Sequence, residues 1–234
     1  MPEQIEAKMI TVPVNGGGEV PAYVARPLSG GRHPTVVVIQ EVFGLNADIK
    51  DIAERYARLG FAAISPDLYH GKVYETIEDA RQRGTVGGDP ALIDREIDSC
   101  ASWLTSQSFG SGGEFGCVGF CMGGGLSLRT ASRNPNVAAC VSYYGGVREN
   151  VDETVGKIKA PVLAFHGTDE LERGNMLKDA FAKQNKSFEL HFYEGAKHGF
   201  FNNRTGGVYH HAASYDSWPR AIEFFKRHLS KVKV

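Results

Sequence analysis

Gly119-Phe120-Cys121-Met122-Gly123 places a cysteine between two glycines, where a strand pattern gives way to a helix pattern. Residues 115–120 are small or apolar, which predicts a buried strand, and residues 123–128 read as the start of a helix. A nucleophile between two such glycines forms a tight, strained turn, and a side chain at either glycine would clash with its neighbours. A helix N-terminus also favours the thiolate form of a cysteine. The stretch therefore predicts a cysteine nucleophile. Since a free cysteine is usually a small buried hydrophobe, a structural Cys121 is the alternative.

Length and composition indicate an ordinary globular protein. The chain has 234 residues, 42% of them hydrophobic and 23% charged, which predicts one domain over residues 1–234. A formal net charge of −1 gives no reason to expect a nucleic-acid or membrane partner. No apolar run approaches the ~20 residues of a membrane span, and the first residues lack the basic start and apolar core of a signal peptide. We therefore expect a cytoplasmic protein, and a monomer.

The remaining cysteines have no chemical setting. Cys100 lies in a helix pattern, and Cys117 and Cys140 lie in apolar strand patterns. All three are interpreted as buried, reduced thiols. Cys117 and Cys121 are four residues apart, but no second pair completes a zinc site. The sequence therefore predicts neither a metal nor an organic cofactor.

Strand and helix patterns alternate along the chain after an initial hairpin. Strands are predicted over residues 8–14, 19–26, 35–39, 61–65, 115–119, 138–143, 162–166 and 188–193. Helices are predicted over residues 48–59, 90–103, 122–131, 175–183 and 212–229. This order predicts an α/β fold with a mainly parallel central sheet, helices on both faces and an antiparallel N-terminal hairpin. In such sheets the active site forms at the carboxyl ends of the strands.

Three residues at predicted strand ends have the order of a catalytic triad. A thiol nucleophile needs a base within hydrogen-bond reach and a third group that orients the base. Cys121, Asp169 and His198 follow three strands in the order nucleophile, acid, histidine. Taken singly, Asp169 could be a turn residue or a helix cap, and His198 a solvated loop histidine. His166 is interpreted as a strand-end residue beside the acid loop.

Glu41 ends a predicted buried strand, where a carboxylate is costly unless something pairs with it. A structural ion pair is the alternative to a functional role, with Arg204 as an attractive partner. The loop after this strand and the residue after the nucleophile supply the two backbone N–H groups of an oxyanion hole. Val42 and Met122 are therefore the predicted donors.

Several segments together resemble one family. They are Gln40-Glu41-Val42-Phe43-Gly44-Leu45-Asn46, Ser65-Pro66-Asp67-Leu68-Tyr69, the cysteine turn, Val141-Ser142-Tyr143-Tyr144-Gly145, His166-Gly167-Thr168-Asp169 and Ala196-Lys197-His198-Gly199-Phe200. In these segments the chain resembles the dienelactone hydrolases (carboxymethylenebutenolidases), a cysteine-dependent branch of the α/β-hydrolase fold. The resemblance covers nearly the whole chain.

The resemblance implies a role for each matching residue. Cys121 would be the nucleophile, His198 the base and Asp169 its orienting acid. Glu41 would contact the resting thiol and pair with an arginine until the substrate binds. Two arginines would hold the substrate carboxylate: Arg204, and Arg83 in a region that matches over only a few residues.

The predicted activity is hydrolysis of a lactone or a small carboxylate-bearing ester through a thioester intermediate. One alternative is a general carboxylesterase or thioesterase of the same fold that acts on neutral esters. The other is a non-catalytic redox sensor that keeps Cys121 as an oxidisable thiol. The only partner expected is a small-molecule lactone or ester.

Overall fold

A computed structural model of the chain describes residues 3–82, 88–147, 150–203 and 208–229. The chain divides into two compact units, Met1–Gly116 with Leu229–Val234, and Cys117–His228. The single domain expected over residues 1–234 stays a prediction.

The first unit is built on four strands. They are β1 (Ile5–Pro13), β2 (Glu19–Pro27), β3 (Thr35–Ile39) and β4 (Ala62–Pro66), with helices α1 (Ala47–Arg58), α2 (Ile77–Gln82) and α3 (Pro90–Ser106). β1 and β2 form the antiparallel hairpin, β2 pairs antiparallel with β4, and β3 pairs parallel with β4. Every residue of β3 and β4 is buried, as their continuous apolar sequences predict.

The second unit carries the other strands. They are β5 (Phe115–Phe120), which begins just before the boundary, β6 (Val137–Tyr143), β7 (Val162–Gly167) and β8 (Phe188–Tyr193). The helices are α4 (Met122–Arg133), α5 (Val151–Lys157), α6 (Leu171–Lys183) and α7 (His211–Leu229), and a 3₁₀ turn spans Thr168–Glu170. The strand order is β5-β6-β7-β8, and β6, β7 and β8 pair in parallel. Parallel pairs after an antiparallel start confirm the predicted α/β class.

Two short helices and one helix start differ from the predictions. α2 and α5 have six and seven residues, too short for the apolar periodicity that reveals a helix. α6 begins at Leu171 rather than at residue 175, because the 3₁₀ turn after β7 leads straight into it. Within the described ranges, no helix is long and apolar enough to cross a membrane.

Candidate active site

The cysteine turn has the strained backbone of a nucleophile elbow. β5 ends at Phe120, and Cys121 has φ +54°, a left-handed conformation that is uncommon outside glycine. The backbone N–H of Cys121 donates to the carbonyl of Tyr143 at 3.0 Å, which ties the turn to the end of β6. Cys121 is the N-cap residue of α4, and the N–H groups of Gly124 and Gly125 donate to its carbonyl. The thiol therefore lies at the positive end of a helix.

Glycines around the elbow allow backbone segments to approach closely. A Cβ at Gly119 would lie 1.8 Å from the carbonyl oxygen of Gly123. A Cβ at Gly124 would lie 2.7 Å from the carbonyl oxygen of Tyr143, and one at Gly145 would lie 2.3 Å from the backbone of Gly124. Since the clashing atoms are backbone, no side-chain rotation relieves them. The glycines thus fix the packing of α4 against β5 and β6.

His198 is the histidine that faces Cys121. Its Nε2 lies 3.0 Å from Cys121 Sγ, in the loop that follows β8. Tyr144 packs edge-on against the imidazole, with ring centroids 5.1 Å apart, and Phe200 packs edge-on against Tyr144. Tyr144 itself has φ +41°, and its N–H donates to the carbonyl of Phe165 at 2.7 Å. Buried aromatic packing therefore limits how far the imidazole can rotate.

The carboxylate on the other ring nitrogen comes from Glu170. Glu170 Oε1 lies 2.8 Å from His198 Nδ1, whereas Asp169 Oδ2 accepts the backbone N–H of His198 at 3.1 Å. The sequence predicted Asp169 as the residue that orients the ring; in the structure the ring contact is made by Glu170, and the catalytic role of Asp169 stays a prediction. Both residues belong to one turn, and the physical reason for the difference is reach. The longer side chain of Glu170 extends to the imidazole, while that of Asp169 is held against the loop backbone.

The His198 imidazole and the Glu170 carboxylate shift each other's pKa toward the charged forms. Burial lowers the pKa of His198, but hydrogen bonds to Cys121 and Glu170, and their charges, outweigh it and raise that pKa to about 10. Burial raises the pKa of Glu170, but hydrogen bonds from His166 and His198 outweigh it and bring that pKa down to about 2. The raised pKa of His198 and the lowered pKa of Glu170 therefore favour an imidazolium paired with a carboxylate.

The other predicted site residues are placed as follows. Met122 is the first residue of α4, directly after Cys121. Glu41 and Val42 follow β3 in the first unit, and Glu41 is only 4% exposed. Their roles toward Cys121 stay predictions. Arg83 and Arg204 lie outside the described residues.

The three cysteines interpreted as structural are free and buried, as expected: Cys100, Cys117 and Cys140. Burial raises the pKa of the Cys117 thiol, and a hydrogen bond with Cys140 raises it further. Only Cys121 is partly exposed. Over the described residues, no group of three or more His, Cys, Asp or Glu side chains is placed to hold a metal ion.

Sequence reasoning missed Glu170 and underrated His166. His166 is fully buried, and its Nδ1 lies 3.4 Å from Glu170 Oε2. A usable signal existed, because Glu170 follows His166 by four residues and is followed by Arg173 after three more. That short spacing leaves the imidazole of His166 and the guanidinium of Arg173 within reach of one carboxylate.

Comparison of the sequence with known proteins identifies the family of the chain. The sequence model of the dienelactone hydrolase family matches residues 20–229. The chain belongs to the dienelactone hydrolase family. An Escherichia coli K12 protein named "Putative carboxymethylenebutenolidase" is 31% identical over 247 residues, covering 98% of this chain and 90% of its own. A protein of the same name from Synechocystis is 28% identical over 249 residues, covering 98% of this chain and all of its own.

Solved structures show the same fold. A Klebsiella pneumoniae protein described as a "Putative Dienelactone Hydrolase" has a TM-score of 0.88 and 28% identity, covering 96% of this chain and 99% of its own. A dienelactone hydrolase-like promiscuous phosphotriesterase from metagenomic libraries has a TM-score of 0.85 and 26% identity, covering 96% and 98%. This member of the dienelactone hydrolase family is thus a hydrolase of esters or lactones with the α/β-hydrolase fold, as predicted.

Proposed function

We propose that this dienelactone hydrolase family member cleaves a lactone or a small carboxylate-bearing ester, with Cys121 as nucleophile and His198 as acid and base. One observation carries the proposal. His198 Nε2 lies 3.0 Å from Cys121 Sγ while its Nδ1 lies 2.8 Å from a carboxylate. This is the geometry in which a histidine holds a thiolate ready for attack.

In the first half-reaction, the Cys121 thiolate attacks the carbonyl carbon and the carbonyl electrons move to oxygen. The amides of Met122 and Val42 are the proposed donors to this oxyanion. When the carbonyl re-forms, the ring or ester oxygen leaves with the proton of His198 Nε2, and a thioester remains on Cys121. A lactone whose opening releases a stabilised enolate would be the easier substrate.

In the second half-reaction, neutral His198 takes a proton from water, and the hydroxide adds to the thioester carbonyl. Collapse of this second intermediate expels the Cys121 thiolate, so the resting ion pair returns with the acid product. The N-terminus of α4 stabilises the thiolate as leaving group. No step in this sequence consumes an external oxidant or reductant.

Substrate choice is proposed from the family pattern. A planar, bidentate guanidinium from Arg204, with Arg83 as a second arginine, would bind the substrate carboxylate. The alternative of a general esterase acting on neutral esters predicts no carboxylate preference. A second alternative is hydrolysis of a phosphotriester, which is suggested by the similar structure described as a promiscuous phosphotriesterase.

A hydrolysis screen tests the proposal. A muconolactone-type dienelactone, a neutral aryl ester and an aryl phosphotriester are compared for wild type, Cys121→Ala and Cys117→Ala. We expect the dienelactone to be preferred and Cys121→Ala to lower kcat/KM by at least about 10³-fold, because a triad acts as a unit. Cys117→Ala is the matched control and should keep its activity per folded molecule.

Each result has a distinct meaning. Activity retained in Cys121→Ala would overturn the nucleophile. A neutral ester cleaved faster than the dienelactone, with no effect of Arg204→Ala, would favour the general esterase. A stoichiometric sulfenate at Cys121 without hydrolysis of any of the three substrates would favour the redox sensor.

A further inference from the structure

Two neighbouring carboxylates contact different parts of the same histidine. Asp169 Oδ2 accepts the backbone N–H of His198 at 3.1 Å, and Glu170 Oε1 meets the ring Nδ1 at 2.8 Å. A carboxylate can only accept, so the ring nitrogen carries a proton on this side. Nε2 is then the nitrogen that exchanges protons with Cys121. Tautomer and ring orientation follow from the Nδ1 contact, not from the backbone contact.

Glu170 is held from several sides. Its side chain is 7% exposed, Arg173 Nη1 donates to Oε1, and His166 Nδ1 lies 3.4 Å from Oε2. Although Glu170 is the N-cap residue of α6, its side chain makes no capping hydrogen bond. The Glu170 carboxylate therefore contacts His166, His198 and Arg173 rather than the helix backbone. A buried carboxylate with three cationic or N–H partners is fixed in position and stays charged.

Asp169 has a structural task instead. Its Oδ1 would lie 2.9 Å from a Cβ added at Gly167, and the carbonyl oxygen of Ala196 would lie 2.3 Å from the same Cβ. The end of β7 and the loop after β8 thus approach each other closely at this glycine. By accepting the His198 N–H, Asp169 fastens that loop to the turn. Its removal loosens the loop and leaves the ring contact in place.

We propose that Glu170, rather than Asp169, is the positioning carboxylate that orients the imidazole of His198 toward Cys121. This inference rests on the proposed function, since it names the third residue of the same proposed triad, after Cys121 and His198. It departs from the assignment that the family resemblance implies for Asp169.

The test compares two isosteric variants, Glu170→Gln and Asp169→Asn. For Glu170→Gln we expect kcat to fall about 10²- to 10⁴-fold, the loss typical when the orienting carboxylate of a triad is neutralised. For Asp169→Asn we expect less than about a tenfold loss in kcat, together with a lower thermal midpoint, because one backbone contact to the loop is weakened. The reverse ranking of the two kcat values would overturn the proposal.

A second readout separates positioning from a purely structural role. The imidazole of His198 is titrated by NMR in both variants. Glu170→Gln should move this titration to lower pH, because the imidazolium loses its directly bonded carboxylate. Asp169→Asn should leave the titration near that of the wild type. A shift in Asp169→Asn of at least the same size would contradict the assignment.

A comparison of the wild type with Asp169→Asn keeps the proposal testable if the Glu170→Gln variant fails to fold. The downfield Nδ1 proton resonance of His198 should persist unchanged in Asp169→Asn, since Glu170 still accepts it. Its loss in Asp169→Asn would assign the ring contact to Asp169. Failure of the proposed function looks different, because it appears as activity retained in Cys121→Ala.

Discussion

Two turns carry the groups on either side of the His198 imidazole. The nucleophile elbow, residues 119–123, carries the Cys121 thiol, and the acid turn, residues 167–170, carries the Glu170 carboxylate. The geometry of the two turns has different origins. In the elbow, the strained φ of Cys121 and the clash at Gly119 involve atoms within five residues of sequence. In the acid turn, the position of Glu170 depends on His166, Arg173 and His198, the last of which is 28 residues away. A local constraint can be predicted from a short motif, whereas a long-range constraint cannot.

The largest expected effect on stability comes from breaking the elbow. In Gly119→Ala the new Cβ would lie 1.8 Å from the Gly123 carbonyl oxygen, so the backbone of α4 must move. We expect a loss of about 3 kcal/mol or more in the free energy of unfolding, measured by urea denaturation. Gly30→Ala is the control, because nothing lies within 4 Å of its Cβ, and it should change stability by less than about 0.5 kcal/mol. Equal stability of the two variants would refute the packing argument.

A smaller effect is expected on the pH dependence of stability. It tests whether the elbow and the acid turn interact electrostatically through His198. The pKa of His198 is raised from 6.5 to about 10, so its stabilisation is complete below pH 6.5 and lost as pH rises toward 10. The pKa of Glu170 is lowered from 4.5 to about 2, so its stabilisation is complete above pH 4.5 and lost as pH falls toward 2. Together they predict a maximum contribution between pH 4.5 and 6.5, measured as the free energy of unfolding across pH.

Cys121→Ala sharpens this pH prediction. Without the Cys121 thiol, His198 loses a hydrogen-bond partner that raises its pKa, so the alkaline decline in stability should still begin near pH 6.5 but end at lower pH and be smaller in total. Cys117→Ala, which removes a buried thiol elsewhere in the same unit, should leave the shape of the pH profile unchanged. Identical alkaline profiles for Cys121→Ala and wild type would show that the elbow and the acid turn are not coupled.

The smallest effect is expected from Arg173. Its guanidinium donates to Glu170, but its side chain is 48% exposed, and exposed ion pairs contribute about 0–1 kcal/mol. Arg173→Met should therefore lower kcat less than about fivefold, because the histidines still hold Glu170. Arg220→Met, which breaks the exposed pair of Arg220 with Asp216, serves as the matched control and should not change kcat. A loss in Arg173→Met as large as in Glu170→Gln would mean that Arg173 itself fixes the carboxylate.

Much of the fold could be predicted from the sequence because its signals are periodic. The continuous β-branched run of β3 is buried throughout, and the Asp89-Pro90 start of α3 is observed with Asp89 accepting from Ala91. α5 was not predicted, because its only sequence signal is the cap residue Asn150, which accepts the N–H of Glu153. The helix itself has only seven residues. Apolar periodicity needs about three helical turns to be recognised, and α5 has only about two.

For the site, the sequence by itself predicted that Cys121 and His198 lie together, and the structure places them in contact. Glycine spacing indicates the cysteine turn, and chain order indicates which loop carries the histidine. Only the tertiary structure decided which carboxylate meets the ring, since Asp169 and Glu170 are adjacent in sequence and chemically alike. The choice between them is made by side-chain length, by the close approach at Gly167 and by the contacts of Glu170 with His166 and Arg173. The contacts with Ala196 and His198 join segments far apart along the chain, and no local pattern encodes them.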